Sequence, residues 1–103
     1  MLKYALISNN EIKFDFIEDF ENLAFDLLGS AWFNHSRPSS NYIGISSQLN
    51  YLEAYQNTLA SKLFKEDIYG DCLIIVYDNL EDEYHSVDEN VLLEDIMSFT
   101  INN

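Results

Sequence analysis

The chain has 103 residues, of which 48% are hydrophobic and 15% aromatic, and its formal net charge at pH 7 is −13. This length fits one domain and leaves no room for two, so we expect a single domain over residues 1–103. The hydrophobic and aromatic content excludes a disordered acidic tail, because such tails are depleted in both kinds of residue. The net charge disfavours nucleic acid and anionic membranes as partners and favours a basic protein.

The sequence predicts a cytoplasmic protein. Its one cysteine, Cys72, excludes an internal disulfide, and the apolar run at 72–76 predicts that this thiol is buried. The apolar part of residues 1–8 is too short for the core of a signal peptide. No apolar stretch approaches the roughly 20 residues of a membrane span.

The first half of the chain is predicted to contain a strand, a helix and a long loop. Residues 2–8 have the composition of a strand. Residues 15–28 open with two acids at the spacing of a capping box and continue with apolar residues at helical spacing, and Gly29 is a suitable helix end. In an alternative interpretation, residues 12–16 form the second strand of a hairpin. Residues 30–47 are rich in Ser, Asn and Pro and are predicted to be a loop.

The second half is predicted to contain two helices around a buried strand. An apolar stripe predicts a helix over residues 47–64. Residues 72–77 are predicted to be a strand that is buried on both faces, and residues 79–83 an acidic turn. The capping-box spacing of Ser86 and Glu89 opens a third helix, and a short last strand is expected at residues 100–101.

The order strand, helix, loop, helix, strand, helix predicts an α/β fold. We expect one small layered domain, with a short, parallel, three-stranded sheet packed with about three helices. Connections of this length suit parallel pairing, because parallel strands need a long crossover.

Residues suited to catalysis or metal binding are few. The two histidines are His35 and His85, and only His85 lies among carboxylates in sequence, without a nucleophile nearby. Scattered single His and Cys residues do not make a metal site, and the acidic turn lacks the ligand spacing of a calcium loop. The three glycines form no phosphate-binding loop. We therefore predict no catalytic residue, no metal and no cofactor.

The acidic residues are concentrated in two blocks, residues 11–26 and residues 66–95, and the second block contains no Lys or Arg. An unneutralised field of this kind steers a basic partner towards the surface. Tyrosines supply contact area at interfaces, and carboxylates pair with guanidinium groups. The residues predicted to bind the partner are Tyr42, Tyr51, Glu53, Glu66, Asp67, Asp71, Asp78, Asp82, Glu83 and Tyr84.

Part of the chain resembles a known family. Residues 2–7, Ile12, Asp19 and residues 23–27 resemble the opening strand and first helix of barstar-like proteins, which are small acidic inhibitors of ribonucleases. In outline, a loop with Asn41, Tyr42 and Gly44 then precedes a second helix, and a buried strand follows. More broadly, the chain is similar to bacterial immunity proteins, which protect a cell from toxins of interbacterial competition.

The resemblance implies roles for two residues. In the barstar family, aromatic and acidic side chains of the loop and second helix occupy the active site of the nuclease, and the matching positions here are Tyr42 and Glu53. The predicted second helix holds a single acid, whereas the family has several there. The excess of acid at residues 66–95 predicts that the binding face has moved to that end.

We therefore expect a non-catalytic immunity protein that binds and neutralises a basic cognate bacterial toxin, most simply a nuclease. The alternative is a nucleic-acid mimic of the anti-restriction or anti-CRISPR type, which needs an extended array of carboxylates. The sequence leaves the oligomeric state open.

Overall fold

The computed structural model describes residues 1–8, 11–29, 32–36, 41–47 and 55–101. Within these residues the chain forms six strands and three helices. In chain order they are β1 (Leu2–Ser8), β2 (Glu11–Ile17), α1 (Phe20–Leu28), β3 (Trp32–Ser36), β4 (Tyr42–Ser47), α2 (Thr58–Phe64), β5 (Cys72–Asp78), β6 (Glu83–His85) and α3 (Glu89–Ile101).

The strands form one sheet in which every pairing is antiparallel. The strand order is β2-β1-β5-β4-β3, and β6 pairs with the last residues of β5. The prediction of a short, parallel, three-stranded sheet is therefore wrong. Three of the pairings join strands that follow each other closely in the chain, and so short a connection permits only antiparallel pairing.

The first error concerns residues 11–17, which the favoured interpretation placed before and within a helix. They form β2, which pairs with β1 along its whole length, so the alternative hairpin interpretation was the correct one. Helix α1 begins only at Phe20, because the Asp19 carboxylate accepts the backbone N–H of Asn22 at 3.2 Å and caps it. Its predicted end is confirmed: Gly29 has a φ of 79° and its N–H donates to the carbonyl of Phe25.

Three further predictions were wrong in part. Residues 30–47 are not one loop, since they contain the paired strands β3 and β4. The second helix is shorter than predicted and starts at Thr58, while residues 48–54 lie outside the described residues. Helix α3 continues to Ile101, so no strand forms there, and its cap is Asp88, whose carboxylate accepts the N–H of Val91 at 3.1 Å.

The predicted burial of the strand at 72–77 is confirmed, and it organises the core. On one face of β5, Cys72 and Ile74 pack in a cluster with apolar residues of α2 and α3. On the other face, Leu73 and Ile75 pack with apolar residues of α1. The thiol of Cys72 is fully buried, and burial raises its pKa to about 12.

Glycine at position 44 permits the close approach of α2 to the sheet. A Cβ at Gly44 would lie 2.6 Å from Cε2 of Phe64 and 3.0 Å from Sγ of Cys72. Any side chain here would displace the Phe64 ring, which is itself part of the core cluster. The absence of a side chain on β4 therefore sets how closely α2 packs.

Asn57 ties helix α2 to the sheet through the interior. Its side chain is 1% exposed. Its Oδ1 accepts the N–H of Ala60 and caps α2, while its Nδ2 donates to the carbonyls of Ile7 at 2.9 Å and Gly70 at 2.8 Å. One amide thus satisfies backbone groups of β1, of the α2 terminus and of the segment before β5.

We expect the Asn57→Ala variant to unfold more easily than the natural chain, by about 2–4 kcal/mol, because it loses a helix cap and two buried hydrogen bonds to backbone carbonyls. Urea denaturation followed by circular dichroism measures the difference. The control is Asn90→Ala on the exposed side of α3, which should change stability by less than about 0.5 kcal/mol. Equal losses in the two variants would contradict the role assigned to Asn57.

Candidate functional site

The predicted partner-binding residues lie at two opposite ends of the sheet. Strand β5 runs from Cys72 to Asp78, and seven residues of strand span about 20 Å. Glu66, Asp67 and Asp71 lie before its first residue, whereas Asp78, Asp82, Glu83 and Tyr84 belong to the β5–β6 hairpin at its far end. Tyr51 and Glu53 lie outside the described residues.

At the hairpin end, two tyrosines link the hairpin to the start of α1. The hydroxyl of Tyr84 donates to the Glu21 carboxylate at 3.1 Å, and that of Tyr77 donates to the Asp82 carboxylate. The Tyr84 ring packs against Tyr77, with centroids 5.5 Å apart, and against Phe20 of α1 at 5.6 Å. The aromatic rings therefore hold carboxylates from two distant parts of the chain on one surface.

We call this group the hairpin surface; it comprises Asp19, Glu21, Tyr77, Asp78, Glu81, Asp82, Glu83 and Tyr84. Burial raises the pKa of Tyr84, and the negative charges of Glu21, Asp82 and Asp19 raise it further. The hydrogen bond between Tyr84 and Glu21 shows that the first and second acidic blocks meet in space. Asp19, Glu21, Tyr77 and Glu81 were missed as site residues. For Asp19 and Glu21 the reason is that sequence separation hides the contact between residues 21 and 84.

The turn of the hairpin is fixed by its own carboxylates. Oδ1 of Asp78 accepts the backbone N–H of Leu80 at 2.9 Å and of Glu81 at 3.3 Å. Asp82 takes the left-handed conformation that closes the turn, with a φ of 56°. Leu80 stands at the tip and is 98% exposed, which places an apolar side chain among the acids.

One subset of the hairpin has the composition of a cation site. Single ligand atoms of Asp78, Glu81 and His85 all lie within 4.8 Å of one another, and Nε2 of His85 is 3.8 Å from Oδ2 of Asp78. All three side chains face solvent to some degree, and an acidic turn of this length brings carboxylates together without an ion. We assign no metal to them.

At the other end of the sheet a cavity of about 260 Å³ lies beside a buried histidine. Nδ1 of His35 contacts the Glu66 carboxylate, and Nε2 lies 2.6 Å from Oγ of Ser46. Because a carboxylate only accepts, we assign the proton to Nδ1, and the Ser46 hydroxyl then donates to Nε2. The sequence singled out only His85, because the β3–β4 pairing is what brings His35 to Ser46, and the segment after α2 then adds Glu66.

The linkage of Ser46, His35 and Glu66 is that of a catalytic triad, but its surroundings favour a structural role. Ser46 is 2% exposed and His35 8% exposed, so the hydroxyl is poorly placed to meet a substrate. The three side chains instead join β3 and β4 to the segment that follows α2. Nearby, Asp71 accepts the hydroxyl of Tyr55 at 2.5 Å.

Tyr42, which was predicted to contact the partner, is buried in the core. It is 8% exposed and packs in the core cluster under α3, where its hydroxyl donates to the Asp95 carboxylate at 2.8 Å. Burial raises the pKa of Tyr42 well above its ordinary value, and the Asp95 and Asp88 carboxylates add to the increase. Tyr42 therefore presents little surface to a partner.

The chain was compared with protein-family models, with curated proteins and with solved structures, and none of them matched. The resemblance to barstar-like proteins and to bacterial immunity proteins therefore stays a prediction. In the part of the chain that the structure describes, the helices are too short or too polar to cross a membrane.

Raised tyrosine pKa values make the stability of the fold sensitive to alkali. The phenol of Tyr42 stays protonated in the folded state above pH 10, where the unfolded chain already loses its proton. Its stabilising contribution is thus complete below about pH 10 and declines as the pH rises further, by at most about 1.4 kcal/mol per pH unit. We expect the free energy of unfolding to fall above pH 10, and to fall less steeply in Tyr42→Phe.

Urea denaturation between pH 8 and about pH 11.5 tests this expectation. Tyr69→Phe is the control, because Tyr69 does not belong to either core cluster, whereas Tyr42 does. The same slope in Tyr42→Phe as in the natural chain would contradict the assignment.

Proposed function

We propose that the protein is a non-catalytic immunity protein, which binds a basic bacterial toxin in the cytoplasm and neutralises it. The proposal rests on one observation above all: the fold joins carboxylates of both acidic blocks around Tyr77 and Tyr84. Together with the net charge of −13, this surface is suited to a partner rich in Lys and Arg.

The side chains of the hairpin surface match such a partner in kind. Carboxylates accept charge-assisted hydrogen bonds from guanidinium and ammonium groups, and the tyrosine rings and Leu80 supply apolar contact area. The turn is held by the Asp78 carboxylate, so the partner would meet a surface already in shape. The negative field would also raise the rate of association.

The toxin that suits this surface best is a nuclease. An enzyme that binds phosphates holds basic side chains around its active site, and the carboxylates of the hairpin would occupy the phosphate positions. Neutralisation by this route is stoichiometric and needs no chemical step by the inhibitor. The toxin would be neutralised because nucleic acid could no longer reach its active site.

Affinity capture from a lysate of the source organism tests the proposal, with washes from low salt to roughly 0.5 M. We expect one basic protein, retained at high salt in near-equal amount, whose activity is inhibited at a one-to-one ratio. Recovery of many nucleic-acid-binding proteins, all released by salt or by added DNA, would contradict it and would favour a nucleic-acid mimic.

Substitutions at the two ends of the sheet locate the interface. We expect Asp82→Asn combined with Glu83→Gln to weaken capture of the toxin by roughly a hundredfold or more, because it removes two carboxylates from the hairpin surface. The matched control is Asp67→Asn combined with Asp71→Asn, which lowers the charge equally at the opposite end and should change affinity less than about threefold. The opposite ranking would place the interface at the cavity end.

A further inference from the structure

Strand β2 forms one border of the sheet. It is the terminal strand in the order of the described strands, and it pairs over seven residues with β1 without a bulge. Terminal strands present unpaired backbone groups, and a long regular one is a template for another strand. The side chain of Phe16 on β2 is 54% exposed.

The hydrogen bonds of β1 reveal which backbone groups of β2 point outward. Lys3 directs its N–H to Ser86 and its carbonyl to Val87, which are on the side of β5 and β6. Neighbouring residues of a strand direct their backbone groups to opposite sides, so Tyr4 and Leu6 bond to β2 instead.

In the register of the β1–β2 pair, the partners of Tyr4 and Leu6 are Asp15 and Lys13. Ile12, Phe14 and Phe16 consequently direct their N–H and carbonyl groups away from β1. The N–H of Phe16 agrees with this direction, because it donates to the carboxylate of Asp15 at 2.8 Å rather than to β1.

We propose that this border pairs with β2 of a second copy of the chain, antiparallel and about a two-fold axis at Phe14. In this register Phe14 lies opposite Phe14 of the second copy. Ile12, whose backbone N–H and carbonyl point away from β1, lies opposite Phe16 of the other strand. Lys13 faces Asp15 of the second copy, and the symmetry repeats that contact. Two six-stranded sheets would thereby become one continuous sheet.

Charge selects this register over its neighbours. Shifting the pairing by two residues in one direction places Lys13 opposite Lys13 and Glu11 opposite Asp15. Shifting it by two residues in the other direction places Asp15 opposite Asp15. Directly opposed like charges destabilise a strand pair, whereas opposite charges stabilise it. The register centred on Phe14 pairs all seven residues of the strand and opposes no like charges.

The side chains needed for the contact are accessible. Lys13 is 65% exposed, and its Nζ lies 4.0 Å from the Glu11 carboxylate, a separation too long for a hydrogen bond. Ile12 of the second copy would cover the exposed ring of Phe16. Within the same chain, Nζ of Lys3 lies 5.5 Å from the centroid of that ring. Asp15 has to release the N–H of Phe16, which then donates to the carbonyl of Ile12 in the second copy.

The net charge of each chain opposes this dimer, so its affinity should depend on salt. Two bodies of charge −13 repel each other, and moderate salt screens that repulsion. The residues that pair do not belong to the hairpin surface, so a dimer would present two such surfaces. This inference does not rest on the proposed function.

Charge-reversal variants test the register. In a homodimer, Lys13→Asp places two carboxylates opposite each other and Asp15→Lys places two ammonium groups opposite each other, so each should raise the dissociation constant of the dimer by roughly tenfold or more. A mixture of the two variants opposes a carboxylate to an ammonium group at both contacts and should form a mixed dimer. The double variant Lys13→Asp, Asp15→Lys keeps the net charge of −13 and should dimerise like the natural chain.

Sedimentation velocity at roughly 1–200 μM, in low and moderate salt, measures the oligomeric state. Asp26→Lys on the exposed side of α1 is the control, because it changes the net charge as Asp15→Lys does and should leave the dimer intact. A natural chain that remains monomeric throughout this range would overturn the proposal. A dimer that both single variants retain would also overturn it, since the contact would then lie elsewhere.

Discussion

The constraint on which the rest of the structure depends is the burial of β5 on both faces. Cys72, Leu73, Ile74 and Ile75 are fully buried, so each face needs its own layer of helices. Strands β1 and β4 flank this strand, and α2 and α3 cover one face while α1 covers the other. Gly44 and Asn57 then set how α2 meets the sheet, the first by leaving space for Phe64 and the second by pairing buried backbone groups.

Buried polar side chains and surface carboxylates differ in the partners that the fold provides for them. In the interior, the amide of Asn57 and the ring of His35 are satisfied by neighbours, as burial requires, and His35 reaches the exposed Glu66 as well as the buried Ser46. At the hairpin, by contrast, carboxylates gather without a lysine or arginine of the second block to neutralise them. The cost of that repulsion to the folded state is what makes a basic partner a reasonable proposal.

Both ends of β5 hold acids with internal partners. Glu66 is bound to His35 and Asp71 to Tyr55 at the cavity end, while Glu21 is bound to Tyr84 and Asp82 to Tyr77 at the hairpin end. The hairpin end differs in that Leu80 projects beyond the acids and Glu83 beside it is exposed. The border strand β2 is a third surface. Apolar and charged residues alternate along it, and Lys13 and Asp15 are placed so that each would oppose the other in an antiparallel pair of two copies.

Local sequence by itself determined the central strand, the end of α1 at Gly29, the burial of Cys72 and the acidity of the surface, because each depends on residues a few positions apart. It did not determine pairing. Residues 11–17 alternate as a strand, but Asp15 and Glu18 also have the spacing of a helix start, and only the long contact with β1 decided between the two. The meeting of Glu21 with Tyr84, and of Ser46, His35 and Glu66, was likewise decided by the tertiary structure, since antiparallel pairing joins residues far apart in the chain.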